Sequence, residues 1–323
     1  MDRSNKRKCV DKCHHKDKRC FTNIYKNDFR KYHHFCDLTE TYVINKPGVY
    51  RLCEDIGFAP ICESNQQAQS VTQYDINNLT HITDQFKEHG FSARLSLKLF
   101  NECKQINNNG KYAILIDSSN VVLNLCGHRL YQANETDGVV GIKLKSGHEN
   151  ITIMNGIVER FTGAAIHSHI HDDKELNNLM FKDLVITNNG GSGEPRSHGK
   201  MATGIALTTD KTLSDMFSDP DLNPSYLYNG VQIKNCTINR NTKVGIWMTQ
   251  AANVIIQNTS CDETYLNEGT FGCIPIVSGM VMQLCENVKL IDITVNFTNS
   301  KSKLMSYGTI VVLIAGAFFI TVR

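Results

Sequence analysis

Hairpin turn signals are almost missing from this sequence, tryptophan occurs once, and no apolar leader follows the basic start. Few tight two-residue turns argue against a two-sheet sandwich, which would give similar strand spacing but needs hairpins. Without an apolar leader, no standard secretory signal is expected. The net charge is only +2, yet residues 1–36 hold 11 Lys/Arg against 4 Asp/Glu. That stretch is also rich in Cys and His, but it lacks the second C-x2-C pair of a clean zinc finger. Cys9, Cys13, Cys20 and Cys36 are therefore weak zinc candidates, set against a flexible, solvated arm over 1–38. Such an arm touches nucleic acid or anionic surfaces without specificity, and no aromatic-interleaved module accompanies it. No specific nucleic-acid partner is expected.

What the chain does have is a repeat. Short β-branched runs come in pairs, Ile114–Ile116 with Val121–Leu125 and Ile142–Leu144 with Ile151–Ile153, separated by a polar corner. Alternation within each run buries one face and wets the other. The pattern continues through Gly204, Gly245 and Gly279, each opening an apolar run, and the proposed register 141, 163, 204, 245, 279 fits a stacked solenoid with loops between coils. Asn120-Val121, Asn150-Ile151, Asn253-Val254 and Asn287-Val288 fall at equivalent corners. Asn tolerates the left-handed backbone of a sharp corner, and stacked amides can hydrogen-bond from rung to rung. The expected fold is all-β: a right-handed parallel β-helix of six or seven coils over 112–304.

Three segments depart from the repeat. Residues 39–111 hold an opening strand and an insertion where Ile82/Phe86 and Leu95/Leu99/Cys103 are four apart, which suits an N-terminal helical cap over an open end. Alternation at Leu95, Leu97 and Leu99 leaves a strand open there. The tail 305–323 contains an uncharged run from Met305 to Val322. It is long enough for a membrane-anchoring helix, but its Val and Ile spacing also suits a final apolar coil. A bare last coil would call for self-association. The twelve cysteines are scattered, so buried free thiols are expected at sites such as Cys126 and Cys236, with Cys53 and Cys62 flanking one loop. Six Asn-x-Ser/Thr sequons, among them Asn150, Asn235 and Asn258, are what Asn corners followed by Thr strands produce.

The best chemical candidate is GAAIHSHIHDD, Gly163–Asp173. With Ile166, Ser168 and Ile170 inward, His167, His169 and His171 share the outer face. Residues two apart on a strand lie about 6.8 Å apart, so neighbouring imidazoles can share a metal. His169, His171 and Asp172 form the metal candidate; the alternative is a solvated polar face. A second candidate is the Gly-rich loop 188–200, with Arg196 and His198. Trp247 is either core or an outward sugar-stacking platform.

The runs YVINKPGVYRLCEDI, AILIDSSNVVLNLCGHRLYQ and GIKLKSGHENITIMNGIVERFTGAAI resemble the right-handed β-helix proteins of the pectate-lyase-like superfamily, and among them the uncharacterised β-helix proteins of giant DNA viruses. The resemblance spans roughly 40–300. It implies the fold; the superfamily hosts lyases, hydrolases, epimerases, adhesins and virion fibres. Lyases of the superfamily use an Arg or Lys base and acidic residues that bind calcium, so calcium is the cofactor a lyase reading implies. No Arg-x-Ile-Lys is present, and Ser197-His198-Gly199 lacks the first glycine of the hydrolase motif. The expectation is therefore a non-catalytic surface or virion-type protein, in a virion or the host cytoplasm, presenting a carbohydrate-contacting face. The alternative is a polysaccharide lyase, hydrolase or epimerase, with His167, His169, Asp172, Asp173, Asp183, Asp117, Arg196 and His198 as candidate catalytic residues. Their convergence in one groove is what would separate the two.

Overall fold

The structure is a computed structural model that describes residues 21–29, 39–60, 112–134, 138–190, 203–210, 226–242, 244–262, 278–295, 311–313 and 320–322. The described chain alternates between two sheets, and every strand pair in both is parallel. One sheet has eight strands: Tyr42–Ile44, Tyr112–Ile116, Val140–Leu144, Ile166–Ile170, Thr203–Thr209, Val244–Thr249, Ser278–Gln283 and Val311–Leu313, stacked in chain order. The other has twelve strands, including the long Glu149–Glu159, Leu176–Thr187 and Ala251–Asp262. Successive coils thus lay one rung on the next. This is an all-β parallel solenoid, consistent with the β-helix read from the repeat; six of the eight strands of its smaller sheet fall within 112–304, and Tyr42–Ile44 and Val311–Leu313 extend it at either end.

Period-2 alternation explains where the core lies. Ile142, Ile166, Ile205, Ile246 and Met280 are in register and wholly buried. Facing them from the larger sheet, Val121, Ile151, Leu179 and Val231 form a second aliphatic row. Each such side chain contributes about 1.5–3 kcal/mol by leaving water. The pairing Ile142↔Ile166 makes Ala165, not Gly163, the residue equivalent to Gly141. Gly163 is a corner residue instead, its amide donating to Val139 O.

The corners are built as the asparagines suggested. Asn120, Asn150, Asn178, Asn253 and Asn287 all have φ of 50–58°. Asn150 Nδ2 donates to Asn120 Oδ1 (2.9 Å) and Asn178 Nδ2 to Asn150 Oδ1 (3.0 Å). Gly230 takes the next place, at φ 74°, and the ladder resumes from Asn229 through Asn253 to Asn287. A second left-handed corner bends the larger sheet at Asn155, Asp183, Asn235, Asn258 and Asp292. There Asn258 donates to Asn235, and Asn235 donates to Asp183. The sequons at Asn150, Asn235 and Asn258 are thus corner residues with engaged amides.

Several expectations need correction. The described residues contain no α-helix, only the 3-10 turn Lys26–Asp28; the insertion that was to supply the helical cap lies outside them. Part of the basic arm is ordered: Phe21–Ile24 pairs with Gly48–Leu52, and the Arg51 guanidinium sits 3.1 Å above the Phe21 ring. Cys53 and Cys126 are both disulfide-bonded, so Cys126 is not a free thiol. Cys236 and Cys285 are buried free thiols, as expected, and Cys261 is buried too. In the tail, Val311–Leu313 pairs with the strand from Ser278 and Ile320–Val322 with the strand from Glu286, which adds a rung. No helix among the described residues is long and apolar enough to cross a membrane.

Candidate functional site

The strand Ile166–Ile170 places its histidines as alternation requires. Ile166, Ser168 and Ile170 point into the core, and His167 and His169 point outward. The His167 and His169 rings stack with centroids 6.4 Å apart, and His169 meets His171 edge-on at 4.1 Å. Parallel pairing sets Ile170 opposite Thr209, so His171 faces Asp210 on the next rung. Asp210 bridges two rings: Oδ1 lies 2.9 Å from His169 Nε2 and Oδ2 lies 2.6 Å from His171 Nδ1. The other nitrogen of His169, Nδ1, is 2.7 Å from Thr208 Oγ1. Among the described residues, His169, His171 and Asp210 are the group whose ligand atoms all fall within 4.8 Å of one another.

Burial grades the three rings. His167 is buried beside Lys143, whose Nζ is 3.2 Å from His167 Nδ1. Burial, then the Lys143 charge, holds His167 well below the ordinary imidazole value. Burial also pushes Lys143 down to about 8. His169 is half-buried, and desolvation lowers its pKa despite the Asp210 carboxylate beside it. Hydrogen bonds from His171 and then His169 hold Asp210 below its usual range. The site therefore pairs an ionised carboxylate with a neutral His169 at physiological pH.

Of the three side chains in the metal candidate read from the sequence, the structure brings His169 and His171 together and leaves Asp172 apart. Asp172 points elsewhere: it accepts from Ser146 (2.8 Å) and pairs with Lys174 (2.9 Å), which bring its pKa to about 2. Asp210 replaces it, and nothing local marked Asp210, since it lies on a different coil. Asp117 pairs with Lys145 (2.7 Å) and His148 (2.9 Å), the Lys145 hydrogen bond being the main cause of its lowered pKa. Asp173 is a left-handed corner residue at φ 53°. Asp183 belongs to the asparagine ladder on the other sheet. Arg196, His198 and the four arm cysteines lie outside the described residues.

Trp247 resolves its alternation outward: Ile246 and Met248 are wholly buried while the indole is half-buried. Register puts it in one outward column with Lys143, His167, Ala206 and Val281. The column and the histidine–carboxylate rim together are the strongest site in the described residues. No protein-family model matches the chain, and no curated protein matches it.

Proposed function

We propose that this chain is a right-handed parallel β-helix of the pectate-lyase-like kind that serves as a non-catalytic surface or virion-type protein and presents a carbohydrate-contacting face. The observation that carries this reading is the state of the rim carboxylates. A glycosidase needs one carboxyl kept protonated by a raised pKa, opposite a second that is ionised. Asp117, Asp172 and Asp210 are all shifted downward, each by its own cationic or hydrogen-bonding partner. Asp183 lies on the other sheet. No acid–base pair of that kind forms among Asp117, Asp172 and Asp210. A continuous parallel ladder suits a rigid presenting surface, and Trp247 offers an apolar ring on the outer face for stacking against a sugar. The disulfides at Cys53 and Cys126 fit a protein that works on an exterior surface.

A second reading has one observation in its favour. Lys143, lowered to about 8 by burial, has the pKa expected of a general base in a polysaccharide lyase or epimerase. One experiment separates the two. Purified protein is incubated with uronic-acid and neutral polysaccharides, with and without calcium, while unsaturated products, new reducing ends and binding are followed. Binding without turnover, weakened in Trp247→Ala, supports the presenting surface. Turnover abolished in Lys143→Met establishes the enzyme instead.

A further inference from the structure

The geometry points to a binding site for one divalent first-row transition metal, of the zinc type, formed by His169 Nε2, His171 Nδ1 and the Asp210 carboxylate. The inference stands apart from the glycan reading, since it rests on different residues.

Four observations carry it. The first is donor placement. Strand alternation puts His169 and His171 on one face, and parallel register puts Asp210 opposite them on the next rung. Their ligand atoms already lie 2.6–2.9 Å apart across the two contacts with Asp210. Tetrahedral zinc with bonds near 2.0–2.1 Å holds its ligands about 3.3 Å apart, so each contact with Asp210 needs to open by only about half an ångström, and all three ligand atoms lie within 4.8 Å of one another. His171 and Asp210 are both more than 60% exposed, which makes that movement cheap.

The second observation is orientation. A metal-bound imidazole usually donates its other N–H to a fixed acceptor, which sets the tautomer and aims the ring. Thr208 Oγ1 sits 2.7 Å from His169 Nδ1; once Nδ1–H donates to it, Nε2 turns its lone pair toward Asp210, and a cation would replace the present His169–Asp210 hydrogen bond. The third is the missing lysine. Asp117 has Lys145 and Asp172 has Lys174 as ion-pair partners. Among the described residues, Asp210 pairs only with the two imidazoles. The fourth is the donor set itself. Two imidazoles and one carboxylate suit zinc, cobalt or nickel; calcium and magnesium require more oxygen ligands than this group offers. Three protein ligands leave one position of a tetrahedral ion for water or a ligand oxygen.

The test is metal uptake by the full-length chain. After chelation and desalting, the protein is titrated with zinc by calorimetry and with cobalt by absorption spectroscopy; calcium serves as the competitor. The arm also contains cysteines, and cobalt distinguishes the two locations: thiolate ligands add a near-ultraviolet charge-transfer band, while a His/His/Asp site shows only ligand-field bands. The expected result is one zinc per chain, not displaced by calcium, and a cobalt spectrum without the thiolate band. His171→Ala and Asp210→Asn, both surface changes, should each abolish this uptake while the circular dichroism spectrum is retained. Thr208→Val should weaken affinity by roughly 10–100-fold, the usual effect of removing an orienting partner. Three results would each overturn the assignment: no zinc bound at micromolar concentration, a thiolate band accounting for all the cobalt, or unchanged affinity in both His171→Ala and Asp210→Asn.

Discussion

The buried pair Asn189–Asn241 makes the sharpest test of how this solenoid is held together. Asn189 is wholly buried. Its Oδ1 accepts from Phe161 N–H at 3.0 Å, and its Nδ2 reaches Asn241 Oδ1 (2.9 Å), Thr187 O (3.0 Å) and Val158 O (3.3 Å). One side chain thus links three successive coils from the inside. In Asn189→Ala, the Phe161 N–H is left buried without its acceptor, which costs about 1–3 kcal/mol, and each further lost bond adds about 0.5–1.5 kcal/mol. Thr187 O keeps a second donor, Arg160 N–H, so the total falls at roughly 3–5 kcal/mol. The exposed corner residue Asn150 is the control. Asn150→Ala loses two amide bonds that water replaces, and adds roughly 1 kcal/mol for an alanine in the left-handed region. Asn150→Gly removes the backbone cost alone. Urea unfolding followed by circular dichroism measures the ranking. Native-state hydrogen exchange at the Phe161 amide reads the local effect, which matters because solenoids unfold partly coil by coil. An Asn189→Ala cost at or below that of Asn150→Ala would falsify the argument that the interior pair bears more of the stability than the exterior ladder.

Other outcomes follow from the same geometry. Gly245→Ala should destabilise by about 1–3 kcal/mol or more, because its Cβ would stand 2.6 Å from Gly279 O on the next rung; an unchanged melting temperature would show that the rungs can separate. Stability should fall on acidification below the ordinary carboxyl value of 3.8. Asp55 is lowered because the Arg129 hydrogen bonds outweigh its desolvation, and Asp117 chiefly because of Lys145. A carboxyl with a lowered folded-state pKa contributes fully above its unfolded value and loses that contribution as pH falls through the folded one. The double variant Asp55→Asn/Asp117→Asn should therefore have a flatter melting curve against pH in the acid range. Cys236 and Cys285, with thiols pushed up to about 11 and about 12 by burial, should resist alkylation at neutral pH until the chain is unfolded; mass spectrometry of the labelled native protein checks this.

Much of the architecture was legible because it is local. Apolar residues two apart define a strand face, and Asn at a corner advertises a left-handed backbone, so the rungs and the ladder positions 120, 150, 253 and 287 could be read directly. The outward face shared by His167, His169 and His171 followed from the same alternation. Alternation alone leaves Trp247 open between core and surface; the burial of Ile246 and Met248 in the structure turns it outward. What pattern alone could not supply was rung-to-rung register across loops of unequal length. The glycine spacing points to Gly163 as the opening residue of its coil, a place the strand pairing gives to Ala165.

The sequence by itself therefore determined the strand–corner grammar of the chain and the face on which its histidines lie, since both depend on backbone preferences and on burial within a few residues. Only the tertiary structure decided their company. It brought Asp210 to His169 and His171, diverted Asp172 to Lys174, and buried His167 against Lys143. Each of those meetings depends on which rung lies above which. That stacking is set by the closure of whole coils around one apolar core.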